Sequence, residues 1–123
     1  FHDCVGGCDG CVDMDNSANA GLDPPIDALS STVSFYQDQL TRADVWALAA
    51  LTAAESMQRD APGRMTYNFA HYGRENCLDD DPRGGPDRQL PSNHIVTEDL
   101  LQFFFDEFEF DSTETVAIMG VHT

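Results

Sequence analysis

Positive charge is what this chain has least of: six Lys and Arg stand against 22 Asp and Glu, for a formal net charge of −16. Phosphate backbones and anionic membrane surfaces both demand basic counter-charge, which rules against nucleic acid and membrane as partners and leaves uncharged or cationic molecules. Also missing is any uninterrupted apolar run of about 18 residues, the length that crosses a bilayer. The chain starts at Phe1 with neither an initiator Met nor a signal segment, so localisation is not legible from targeting signals. No internal repeat or low-complexity tract occurs. What is there, in 123 residues, is 41% hydrophobic content and eight Phe, enough for one compact core with no break in composition. Residues 1–123 are therefore expected to form one domain or part of one. The acidic residues bunch at Asp79-Asp80-Asp81 and from Asp106 to Asp111, the pattern of a solvated face. Nothing in the sequence marks an oligomeric state.

Periodicity and capping signals predict a mainly α chain. Asp23-Pro24-Pro25 has the form of an N-cap followed by prolines in the first turn, where a missing N–H costs nothing. Ile26, Leu29, Val33, Tyr36 and Leu40 then recur at helical spacing, predicting a helix over about 24–37. Thr41-Arg42-Ala43-Asp44 is a capping-box pattern ahead of the Ala/Leu-rich segment Val45 to Met57, which has high helix propensity. Between Ala61 and Ser92 stand four prolines, with Pro62-Gly63 and Gly84-Gly85-Pro86, and this punctuation predicts a long irregular segment of loops and short strands. Thr97 reads as the cap of a helix whose Leu100, Leu101, Phe104, Phe105 and Phe108 form one broad apolar stripe for the core. Asp111-Ser112-Thr113-Glu114 is a second capping signal, and the short apolar helix Val116 to Val121 behind it predicts that His122 points into the interior.

Four cysteines leave several readings open. Three of them, Cys4-x3-Cys8-x2-Cys11, match the trio that radical S-adenosylmethionine enzymes use for an iron–sulfur centre. Against that, Gly10 stands where those enzymes carry an aromatic, and 123 residues are too few for their barrel. Zinc held by these thiolates with His2 is a further reading, although no second ligand pair is spaced for it. With Cys77 the set permits three disulfide connectivities, and the sequence does not choose. Disulfides would weakly favour an extracellular, oxidising compartment; free thiols would not.

A histidine stands at each end: Phe1-His2-Asp3-Cys4 opens the chain, and Met119-Gly120-Val121-His122-Thr123 closes it. Phe1-His2-Asp3-Cys4 with Gly7-Cys8-Asp9-Gly10 is similar to the distal motif of secreted plant haem peroxidases. Asn19-Ala20-Gly21-Leu22-Asp23 is similar to a segment of the ascorbate and cytochrome c peroxidase branch. Thr41-Arg42-Ala43-Asp44 with Leu48-Ala49, then Gly73-Arg74-Glu75, Leu90-Pro91 and finally Met119 to Thr123 resemble, in order, further pieces of the same superfamily, the last its proximal helix. The whole chain resembles the distal half of a plant, fungal and bacterial haem peroxidase, and a partial sequence recovered between two family motifs is expected.

The resemblance implies a helical fold with one long irregular loop, and a parent enzyme that reduces hydrogen peroxide while oxidising a small donor. It implies haem b as cofactor, with His122 as the axial ligand of the iron and His2 as the acid and base that shifts a proton between the peroxide oxygens. Asn19 would accept the other ring N–H of His2 and fix its tautomer, Phe1 would wall the pocket, and Pro91 would lie at the cofactor. The distal arginine and the carboxylate partner of the proximal histidine would lie outside residues 1–123. Asp3, Gly7, Asp9 and Thr123 are candidate calcium ligands by analogy with the plant branch, where Cys11 replaces a hydroxyl ligand. The same branch pairs the equivalents of Cys4 and Cys8 as a disulfide, which leaves Cys11 and Cys77 free or paired. His71 and His94 carry no partner pattern and are read as ordinary histidines. A haem-free secreted matrix module of the same fold, cross-linked through Tyr and Cys, is the non-enzymatic alternative.

Overall fold

The computed structural model describes residues 1–58, 66–78, 80–84, 90–92 and 94–122. Among the described residues, five α-helices run in the order α1 (His2–Gly6), α2 (Asp23–Tyr36), α3 (Arg42–Met57), α4 (Thr97–Phe108) and α5 (Ser112–Val121), with one 3₁₀ turn at Ser17–Asn19. The fold is mainly α. The described parts of the segment between α3 and α4 are irregular, and no strand occurs among the described residues, so the short strands expected there are not found. The loop signals at Pro62-Gly63 and Gly85-Pro86 lie outside the described residues. The chain divides into two compact units, His2–Arg88 and Phe1 with Gln89–Thr123.

In the first unit, α2 begins one residue earlier than the proline pattern predicts. Leu22 is already helical at φ −82° and ψ −9°, and no side chain caps the start. Asp23 does not act as cap because its carboxylate accepts from Arg83 Nε at 2.8 Å. Arg83 also donates to Asp27, clasping residues 80–84 to the first turns of α2. Helix α3 is capped by Thr41, whose hydroxyl oxygen accepts from Asp44 N at 3.1 Å. Only this half of the expected capping box forms, because the Asp44 carboxylate turns to a different loop. The apolar core consists of Val5, Cys11, Val12, Ile26, Ala43 and Val45. Each buried Val or Ile contributes roughly 1.5–3 kcal/mol. Disulfides Cys4–Cys8 and Cys11–Cys77 cross-link this unit, and none of the four cysteines is free.

In the second unit, α4 has Val96 at its cap position with no side-chain acceptor, and Thr97 is already the first helical residue, so Thr97 is not the cap. Phe104 is fully buried and forms the centre of a ring cluster with Phe103 at 5.3 Å, Phe108 at 5.8 Å and Phe110 at 6.2 Å. Phe110 reaches back because Glu109 ends α4 in the left-handed region at φ 57°. Phe105, expected in the core stripe, is 58% exposed, and the contacts run instead through Phe103 on the other flank of Phe104. Helix α5 starts with the complete capping box predicted, Asp111 accepting from Thr113 N and Glu114 N while Glu114 accepts from Asp111 N.

Candidate functional site

His2 is the first residue of α1, and its Nδ1 lies 2.7 Å from Asn19 Oδ1. Asn19 is completely buried, and its Nδ2 donates to the Asp13 carbonyl at 2.8 Å, which settles the amide orientation. With the Asn19 oxygen turned to the ring, Nδ1 of His2 must carry the proton, and the basic lone pair of the neutral imidazole falls on Nε2. The Asp13 carbonyl is a partner that no sequence pattern indicated. It acts through backbone, so its residue type leaves no signal.

Asp3, one step round α1, faces inward and is buried. Its Oδ1 accepts from Asp9 N and Gly10 N, each at 3.0 Å, so the carboxylate organises the turn behind α1. Burial pushes its pKa up to about 6, and the Asp9 charge adds to this against the two backbone N–H donors. The chain around Gly7 folds back as Gly7 N and Cys8 N both donate to the Asp3 carbonyl. Asp9 Oδ1 accepts from Cys11 N at 3.1 Å. For the calcium expected here, which takes roughly six to eight hard oxygen ligands, Asp3 and Asp9 bring carboxylates whose Oδ1 atoms also accept backbone N–H groups, and Cys11 brings a disulfide sulfur. Thr123 lies outside the described residues.

The disulfides also separate the cysteine trio. Cys4 is bonded to Cys8 and Cys11 to Cys77, which leaves no set of three thiolates for iron and sulfur and no thiolate for zinc beside His2.

A second polar node fixes the start of α3. Asp44 is 1% exposed and accepts from the backbone N–H of Gly73 and from Arg74 Nη1 at 2.9 Å. Burial raises its pKa, but the Gly73 and Arg74 donors outweigh it and hold the carboxyl below the usual range. The Arg74 guanidinium also lies 5.6 Å from the Phe69 ring centre. Gly10 packs against the same helix end at φ +75°, where a Cβ would stand 2.8 Å from Ala43 N. His71 is exposed, and its carbonyl accepts from Arg74 at 2.8 Å; His94 is exposed too.

In the other unit, His122 caps the end of α5 and its N–H donates to Met119 O at 3.1 Å. Its side chain is exposed rather than turned to the interior. The helical register expected for it holds, since Thr115 is buried and Ile118 and Met119 are half-buried on that face. His122, however, lies two turns beyond Thr115, about 10 Å further along the axis, past the packed part of the helix. The Phe1 ring lies 4.7 Å from the His122 ring, tilted by 51°. A flat macrocycle between two rings needs on the order of 7 Å, two contact distances, so Phe1 must leave His122 before it can wall a haem pocket. Pro91 is half-buried ahead of α4.

The family model described as Peroxidase matches residues 1–123, the whole chain. The chain belongs to the peroxidase family. No curated protein and no solved structure matches it. Membership in the peroxidase family carries peroxidase-type oxidoreductase chemistry in general terms, with hydrogen peroxide as oxidant, a reducing substrate as donor and haem as the group the family binds. The donor chemistry here fits haem: His122 presents an exposed imidazole at a helix end, the kind of ligand that holds haem iron, and the His2 ring is oriented by Asn19. Two disulfides weakly fit an extracellular setting, and no helix among the described residues is long and apolar enough to cross a membrane.

Proposed function

We propose that this chain supplies both imidazoles of a haem b peroxidase that reduces hydrogen peroxide and oxidises a small donor. The observation that carries this reading is the His2–Asn19 pair: a fully buried amide, locked by the Asp13 carbonyl, imposes one tautomer on a histidine at the start of a helix. That arrangement suits an acid–base catalyst, because a fixed tautomer leaves one ring nitrogen ready to take a proton. Nε2 of His2 takes a proton from one oxygen of hydrogen peroxide and returns it to the other as the O–O bond breaks. Asn19 keeps Nδ1 protonated and acts as a positioning residue, stabilising the ring when it becomes positively charged. Haem, when bound, supplies a redox iron that takes up the oxidising equivalents of the peroxide and passes them to the donor. His122 would hold that iron, and Phe1, once turned from His122, would limit access to the reacting oxygen; Pro91 would line the cofactor edge.

Titrating the protein with haem tests the cofactor half of the proposal. The wild type is expected to give a Soret band with one equivalent, His122→Ala to lose most of it, and added imidazole to restore it. Intact folding with no Soret band in the wild type would overturn the proposal and favour the haem-free module.

A further inference from the structure

We propose that the Cys11–Cys77 disulfide is a redox switch, opened by a dithiol reductant that attacks Cys77 and expels the Cys11 sulfur beside the Arg42 guanidinium. The two cysteines are unequal in exposure. Cys11 is 1% exposed, while Cys77 is half-buried, so an incoming thiolate reaches Cys77 first. They are close to one cation: Arg42 Nη2 lies 3.2 Å from Cys11 Sγ and 3.0 Å from Cys77 Sγ. That cation is one of only six basic residues in the chain, and it is held there independently of the sulfurs. Arg42 Nε donates to Gly10 O at 2.7 Å and Nη1 to Asp80 O at 3.1 Å.

A neutral disulfide sulfur is a weak acceptor and gains little from a guanidinium. The gain comes when the bond breaks and negative charge develops on sulfur, because a stabilised leaving thiolate departs faster. The balance is that of thiol–disulfide exchange. A reductant thiolate bonds to Cys77 Sγ, the Cys11–Cys77 bond breaks, and its electron pair leaves on Cys11 Sγ. The second reductant thiol then displaces Cys77, so that two electrons and two protons pass to the cysteines and the reductant closes as a disulfide.

Opening releases a particular joint and leaves others in place. Cys77 N donates to Asp9 O at 2.9 Å, and the neighbouring Asn76 accepts from Ala43 N, so the disulfide holds residues 76–77 against the turn that Asp3 organises behind α1. The Asp44 contacts with Gly73 and Arg74 and the Arg83 contacts with Asp23 and Asp27 do not depend on it. Reduction therefore loosens the turn next to His2 without dissolving the unit. The inference stands on these contacts alone and does not depend on haem.

Exposing the oxidised protein to glutathione, quenching with iodoacetamide and mapping the peptides by mass spectrometry gives the direction of attack. Glutathione is expected on Cys77 and the alkyl group on Cys11. Attachment to Cys11, or equally to both, would overturn the proposal. With dithiothreitol, hydrogen exchange is expected to rise at residues 9–12 and 76–77 and to stay unchanged in α2; general loss of protection across residues 2–58 would make the bond a structural brace and sink the switch. Arg42→Gln is expected to slow opening of this disulfide by about tenfold relative to Cys4–Cys8 in the same molecule, with Arg42→Lys nearer to wild type. An unchanged ratio in Arg42→Gln would count against the role given to the guanidinium.

Discussion

Nδ1 of His2 and Oδ1 of Asn19 meet at 2.7 Å, and the Asn19 amide cannot flip without also losing its bond to the Asp13 carbonyl. Two residues separated by 17 positions are thus tied into one hydrogen-bonded pair. Asn19→Ala removes the acceptor and leaves the ring able to exchange tautomers. We expect kcat/KM for hydrogen peroxide to fall about 10- to 100-fold, part of the full contribution of general acid–base catalysis, with a displaced pH profile and KM for the donor unchanged. A profile identical to wild type would show that Asn19 does not set the ring.

Asp44 couples stability to acid. Its carboxyl lies below the ordinary value of 3.8, so the stability it contributes is fully present above that pH and is lost as pH falls through the folded-state value. Arg74→Ala removes the guanidinium from a buried carboxylate and is expected to cost about 2–3 kcal/mol at neutral pH, with a smaller penalty near pH 3. Urea midpoints of both proteins between pH 3 and pH 7 check this.

Asp3 works in the opposite sense. With a folded-state pKa of about 6, its contribution is fully present below 3.8 and is lost as pH rises through 6. Asp3→Asn keeps the acceptor oxygen, so relative to wild type it should be more stable at pH 7 than at pH 4, by on the order of 1–3 kcal/mol across that interval. Calcium or a chelator should leave the melting temperature of the wild type in place. A calcium-dependent rise would show that the Asp3 and Asp9 oxygens do complete a metal sphere.

Gly10→Ala is expected to destabilise the chain by about 1–3 kcal/mol, combining the left-handed backbone with a Cβ 2.8 Å from Ala43 N. Thermal unfolding measures it directly. Little change would mean that α3 can shift away from the turn without cost.

What could be read from the sequence was what is local. Helices α2 to α5 were legible because 3.6-residue periodicity and helix propensity act within one or two turns, and the Asp111–Glu114 box was legible because both partners lie three residues apart. Asp44 looked like part of such a box, but its carboxylate goes to Gly73, 29 positions away, and only the folded chain brings that loop close. The Arg42 contacts with Cys11 and Cys77 span 31 and 35 positions and are equally silent in sequence. His122 shows the limit of periodicity. The register placed it on the packed side of α5, yet burial needs a neighbour to cover it, and the packed part of the helix stops short of that turn.

The most direct test of the central claim is rapid mixing of the haem-loaded protein with hydrogen peroxide, comparing wild type with His2→Leu at matched haem content. General acid–base catalysis by Nε2 predicts a second-order rate constant about 10²- to 10⁴-fold lower in the variant, with the Soret band of the resting protein retained. A rate within about threefold of wild type would contradict the assignment of His2 as the group that moves the proton.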